Sequence, residues 1–170
     1  MAEELARLAE RPPERVAVLS PSVEDFDRFY RLCAEAAGDH ALALGANFPV
    51  FRRSVARRVI ERAARRNAVV GAAAFIPGSD MPIITANQMR LILELAAIHG
   101  EELGVDRAKE LLAVIGGGYL LRAAARQAAG VIPVAGWAVK GAVAYGGTVA
   151  LGRLAVEYFE RQSKDGAARG

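Results

Sequence analysis

Apolar positions along most of this chain recur at helical spacing. Phe26, Phe29, Tyr30, Cys33 and Ala37 fall near one stripe with a period of about 3.6, so VEDFDRFYRLCAEAA is predicted to be a helix. Ser22 stands where an N-cap is needed. Asp25 lies in the first turn, where a carboxylate suits the positive end of the helix dipole, and Gly38-Asp39 ends the run. A second helix is expected from about Val50 to Ala74. Val55, Val59, Ile60 and Ala63 lie on one side of its first half and arginines mostly on the other, while its second half, NAVVGAAAF, carries no charge. Ile76-Pro77-Gly78-Ser79-Asp80 breaks it. Asp80 then caps a helix that has Pro82 in its first turn, where the missing N–H costs nothing, and that ends at Gly100.

The third long segment is VDRAKELLAVIGGGYLLRAAARQAAG, in which Gly116-Gly117-Gly118 offers an interruption. The fourth runs from Pro133 to about Gln162. Ahead of these, residues 1–14 read as a short charged helix stopped by Pro12-Pro13, Arg15–Leu19 as an extended segment, and 40–50 as a turn region closed by Pro49. Ile76-Pro77 recurs as Ile132-Pro133, each between an alanine-rich helix end and a new helix start, which suggests a repeated hairpin. The expected fold is all-α: helical hairpins packed as a four- to five-helix domain through Gly/Ala-rich faces. Residues 1–50 form a helical extension, 51–162 the main domain and 163–170 a disordered tail.

Composition narrows the surroundings. In 170 residues, 53% are hydrophobic and 24% charged, a globular balance, but aromatics reach only 6% and glycines number 17. The apolar content is therefore small or aliphatic, which lets helix backbones approach closely. A single cysteine, Cys33, excludes a disulfide scaffold and points to a reducing compartment. The first residues, MAEELARLAERPPERV, have no apolar core and are not read as a secretory signal.

Charge distribution matters more than the net +3. Seven arginines and one acid, Glu61, lie between positions 52 and 66. Arg52, Arg53, Arg57, Arg58, Arg62, Arg65 and Arg66 suit either anionic lipid heads or a protein partner, and a plain solvated helix face explains them as well. Nucleic acid is disfavoured, because no aromatic residues interleave to stack on bases. By contrast, 67–89 carries only Asp80 and 127–152 only Lys140. The second stretch is long enough to span a bilayer from Pro133 on, whereas Pro77 and Pro82 break the first. Both are rich in Ala and Gly, so a buried or re-entrant hairpin competes evenly with a span. Asp80 and Lys140, opposite in sign, would meet as a buried pair if the hairpins pack with pseudo-symmetry. Ala138, Ala142, Gly146 and Ala150, spaced by four, are the expected helix-packing face.

Signs of chemistry are sparse. His40 and His99 are the only histidines, and neither shows metal-ligand spacing with Cys33 or an acid. A Cys33–His40 nucleophilic pair lacks an orienting third group. Glu94, Glu101, Glu102 and Arg90 read as exposed ion pairs. No G-x-x-x-x-G-K-[ST] run occurs, so any nucleotide comes with a partner. No cofactor, metal or catalytic residue is expected.

NAVVGAAAFIPGSDMPIITANQMRLILELAAIHG, AKELLAVIGGGYLLRAAARQ and IPVAGWAVKGAVAYGGTVALGRLAVEYF together resemble the bacterial family known as domain of unknown function 697. The resemblance covers roughly residues 55–160, and its specific marks are IPGSDMPIIT and VKGAVAYGGTVALG. It implies a helical protein, often assigned to membranes, whose relatives in some cases carry the domain beside an Era-like GTPase domain. It transfers no catalytic residue. The expectation is a non-enzymatic accessory or interaction protein at the cytoplasmic membrane, with a cytoplasmic module binding a partner protein, plausibly a GTPase, as the alternative.

Overall fold

The computed structural model describes residues 23–73, 81–128 and 137–167, with side chains described for 26–73, 82–117 and 139–165. Six α-helices make up these residues, and no strand occurs among them. They are α1 (Val23–Ala36), α2 (Ala41–Asn47), α3 (Arg52–Ala73), α4 (Met81–Ile98), α5 (Val105–Ala128) and α6 (Trp137–Ala167). The expected all-α class holds. The expectations for residues 1–22, including the Ser22 cap and the extended Arg15–Leu19 segment, fall outside the described residues, as does the Asp80 cap.

Local chemistry sets the helix ends. Gly38 has φ 52°, the left-handed conformation that ends α1 at little cost, and Ala37 N–H donates to the Cys33 carbonyl at 2.9 Å. At the far end of α4, Gly100 has φ 79°. Gly100 N–H donates to Ala97 O at 3.1 Å and Glu101 N–H to Ala96 O at 3.0 Å, the paired bonds of a Schellman cap.

Three segments differ from expectation. Residues 40–50 are not all turn: ALALGAN folds as α2, because its alanines and leucines are strong helix formers. Pro49 ends α2 by holding Phe48 extended, with φ −127° and ψ 98°. Gly116-Gly117-Gly118 does not interrupt α5. Glycine permits a break without forcing one, and good helix formers on both sides carry the turn through. The last helix continues past Gln162 to Ala167, so 163–167 is not a disordered tail.

The core is one cluster. Leu91, Ile92, Leu95 and Ile98 of α4 meet Val55, Val59 and Ile60 of α3, Ala108 and Leu111 of α5, and Leu151, Ala155 and Phe159 of α6. Each fully buried aliphatic or aromatic side chain contributes about 1.5–3 kcal/mol relative to exposure. His99 is drawn into this core, its ring stacked on Phe159 at 5.6 Å and its Nδ1 2.8 Å from the Leu95 carbonyl. Ala34 and Ala41 belong to the same cluster. The helices before residue 50 are thus built into the main core instead of lying beside it.

Helices α3 and α6 run antiparallel and in close contact. A Cβ added at Gly71 would stand 2.9 Å from the Ala144 Cβ and 3.2 Å from the Lys140 carbonyl oxygen. One added at Gly141 would stand 3.0 Å from the Ala68 carbonyl oxygen. Small residues are needed here because backbone meets backbone.

Candidate functional site

The close approach runs along Gly141, Ala144, Thr148 and Gly152, and this corrects the expected face. Ala142 and Gly146 are exposed, a Cβ at Gly146 would meet nothing within 4 Å, and Ala150 is half-buried. The side chain of Ala138 lies outside the described residues. Small residues occur all round α6, so a four-residue spacing alone does not select the buried side. The large Val143 and Tyr145, which a close-packed face cannot hold, are exposed.

Behind that contact lies a polar layer the sequence reading did not single out. Asn67 and Thr148 are both fully buried. Asn67 Nδ2 donates to Thr148 Oγ1 at 2.9 Å, Asn87 Nδ2 donates to Asn67 Oδ1 at 2.8 Å, and Thr148 Oγ1 donates to the Ala144 carbonyl at 2.7 Å. Three helices are tied at one level. The signal was present: Asn67 and Thr148 are polar residues inside charge-poor stretches, and a buried polar residue there must find partners.

Beyond this layer the molecule changes character. The contacts of Gly71 and Gly141 place the C-terminal end of α3 beside the N-terminal end of α6, and the Asn87–Asn67 bond places the N-terminal end of α4 with them. Val69, Ile83, Val143 and Tyr145 are exposed there by 69%, 54%, 56% and 38%. Lys140 is the one charged residue that α3, α4 and α6 carry at this end. Its supposed partner, Asp80, lies outside the described residues. These four exposed apolar side chains thus fall on the adjoining ends of three helices.

Just below the tip the arginines begin, and they do not act alike. Arg58 turns inward: its guanidinium donates to the carbonyls of Ala34 and, at 3.3 Å, Glu35 at the end of α1. Half-buried Arg52 donates to the Gly45 carbonyl at 3.4 Å. These two hold the N-terminal helices. Arg65 pairs with Glu61 at 3.7 Å on the surface, and Arg53, Arg57 and Arg66 are exposed. Arg62 faces α4, where Glu94 accepts from it at 3.1 Å and from Arg90 at 2.8 Å. Glu94 is only 14% exposed, so it is a shared anchor under two guanidiniums and not the simple surface partner expected. Arg62, Arg66, Arg90, Asn87 and Glu94, with Ala63 and Leu91, line a shallow groove between α3 and α4.

Among the described residues, Cys33 and the histidines are not gathered into a metal-binding cluster. Cys33 is half-buried and His40 exposed, and no hydrogen bond joins them. Burial pushes the Cys33 thiol up, away from the thiolate a nucleophile needs. Among the described residues no group of three or more His, Cys, Asp or Glu could hold a metal ion. Also among them, no helix is long and apolar enough to cross a membrane.

A family model, Domain of unknown function (DUF697), matches residues 47–169, and the chain belongs to that family. No curated protein and no solved structure matches the chain.

Proposed function

We propose that this protein is a non-enzymatic accessory protein of the cytoplasmic membrane surface, whose bundle enters the lipid by its apolar tip without crossing. The observation that carries the reading is the grouping of exposed Val69, Ile83, Val143 and Tyr145 where α3, α4 and α6 bear only Lys140, directly above an arginine-rich band. The order is that of an interfacial anchor. Apolar side chains reach the acyl boundary, a tyrosine suits the headgroup level, and arginines meet anionic lipid at about 1 kcal/mol each.

Vesicle cosedimentation tests this. The full chain should pellet with vesicles containing phosphatidylglycerol and keep part of that binding in high salt, because part of it is apolar. Val69→Ser/Val143→Ser removes only exposed side chains, so it should leave the fold intact and cut partitioning by about tenfold or more, from the area withdrawn from lipid. A wild-type chain that stays in the supernatant with such vesicles overturns the reading.

A partner-binding module remains the second reading, and one observation favours it. Phe48 and Val50, each 55% exposed and just after α2, and Phe26 of α1, 43% exposed, are a separate set of exposed apolar side chains. Aromatic anchors of this kind suit a protein interface.

A further inference from the structure

We infer that the groove between α3 and α4 binds a terminal phosphate monoester, as presented by an anionic lipid headgroup. The inference rests on the membrane reading for the source of the phosphate, though not for the site itself.

Two helix edges face each other across the groove and change in step. Along α3 the order is Arg62, Arg66, Val69, and along α4 it is Glu94, Arg90, Asn87, Ile83. Both pass from charged to apolar toward the tip. At a rise of ~1.5 Å per residue, Val69 stands ~4.5 Å beyond Arg66 and Ile83 ~10 Å beyond Arg90. That offset matches the depth, ~5–10 Å, at which interfacial helices bury their apolar faces below the headgroups. With the tip in lipid, the groove lies at the phosphate plane.

The charges fit that ligand. Glu94 holds Arg62 and Arg90 by one carboxylate oxygen each and is itself largely buried, so it fixes the two guanidiniums without covering their outer faces. Among the described residues, Arg66 forms no ion pair or hydrogen bond. Three arginines against one carboxylate leave a surplus of two positive charges on planar donors, two of which Glu94 holds in place. A phosphate monoester offers up to two negative charges and three terminal oxygens to match, whereas a diester offers one charge and two oxygens.

The test compares vesicles carrying phosphatidic acid with vesicles carrying phosphatidylglycerol, adjusted to equal surface potential. Inorganic phosphate serves as the soluble probe. The full chain should bind the phosphatidic acid vesicles about tenfold more tightly, a ratio in keeping with charge-assisted hydrogen bonds. Arg66→Gln/Arg90→Gln should erase the preference while still binding both vesicles through the apolar tip. Arg66→Gln alone, which breaks no bond in the protein, should lower the preference with no change in unfolding temperature. Equal binding of both lipids by the wild type overturns the phosphate site and leaves the membrane reading standing. Absence of vesicle binding, together with a saturable Arg66-dependent response to inorganic phosphate, upholds the site and overturns its lipid source. No response to either probe overturns both.

Discussion

The side-chain amide of Asn67 donates to the hydroxyl oxygen of Thr148 at 2.9 Å, joining the C-terminal half of α3 to the N-terminal half of α6 with both residues fully buried. Asn87 extends the bond to a third helix. No buried side-chain nitrogen or oxygen among the described residues lacks a partner, so the layer is fully satisfied. A satisfied layer of this kind selects one alignment of three helices, because sliding any of them by a turn strands polar groups in an apolar interior.

Breaking one member should therefore cost more than the bond itself. Asn67→Ala should lower unfolding free energy by about 1–3 kcal/mol, the cost of leaving buried polar partners unmatched. Thr148→Val, of nearly the same volume, should fall in a similar range. The double variant should lose clearly less than the sum of the two, since one interaction is removed twice. Urea unfolding followed by circular dichroism measures all three.

Two glycines should respond to the same substitution with opposite signs. In an open helix position, Gly→Ala stabilises by up to ~1 kcal/mol, and Gly146→Ala should do so because nothing stands within 4 Å of the new methyl group. Gly71→Ala should instead destabilise by about 1–3 kcal/mol, because its methyl group would press on Ala144 and on the α6 backbone. Thermal unfolding of the two variants beside the wild type gives the comparison.

Neighbouring arginines should differ in the same way. Arg58→Ala removes donors from the carbonyls at the end of α1 and should cost about 1.5–3 kcal/mol, the range for hydrogen bonds from a charged group. Faster amide exchange in α1 should accompany it. Arg57→Ala, exposed and one position away, should stay within about 0.5 kcal/mol of wild type.

Helical periodicity made the long helices legible, and the Val55, Val59 and Ile60 stripe is buried as that pattern requires. The small-residue contact was legible in kind but not in register. Alanine and glycine occupy every side of α6, and only the bulk of Val143 and Tyr145 and the polarity of Thr148 tell the sides apart. The arginine cluster looked uniform because sequence shows charge and not reach. Arg58 turns to a carbonyl of α1 that is 24 residues back in sequence yet adjacent in space, and Arg52 to one of α2. Glu94 sits one helix away from Arg62, so its double role depends on the α3–α4 pairing, which local pattern does not reveal.

The N-terminal boundary of the family match cuts through the core. Residues 47–169 match the family, yet Gly45 of α2 lies so close to Val55 and Ile98 that a Cβ there would stand 3.0 Å from the Ile98 side chain and 3.4 Å from that of Val55. The family segment is thus a socket missing one wall, and in this chain α1 and α2 are the insert that closes it.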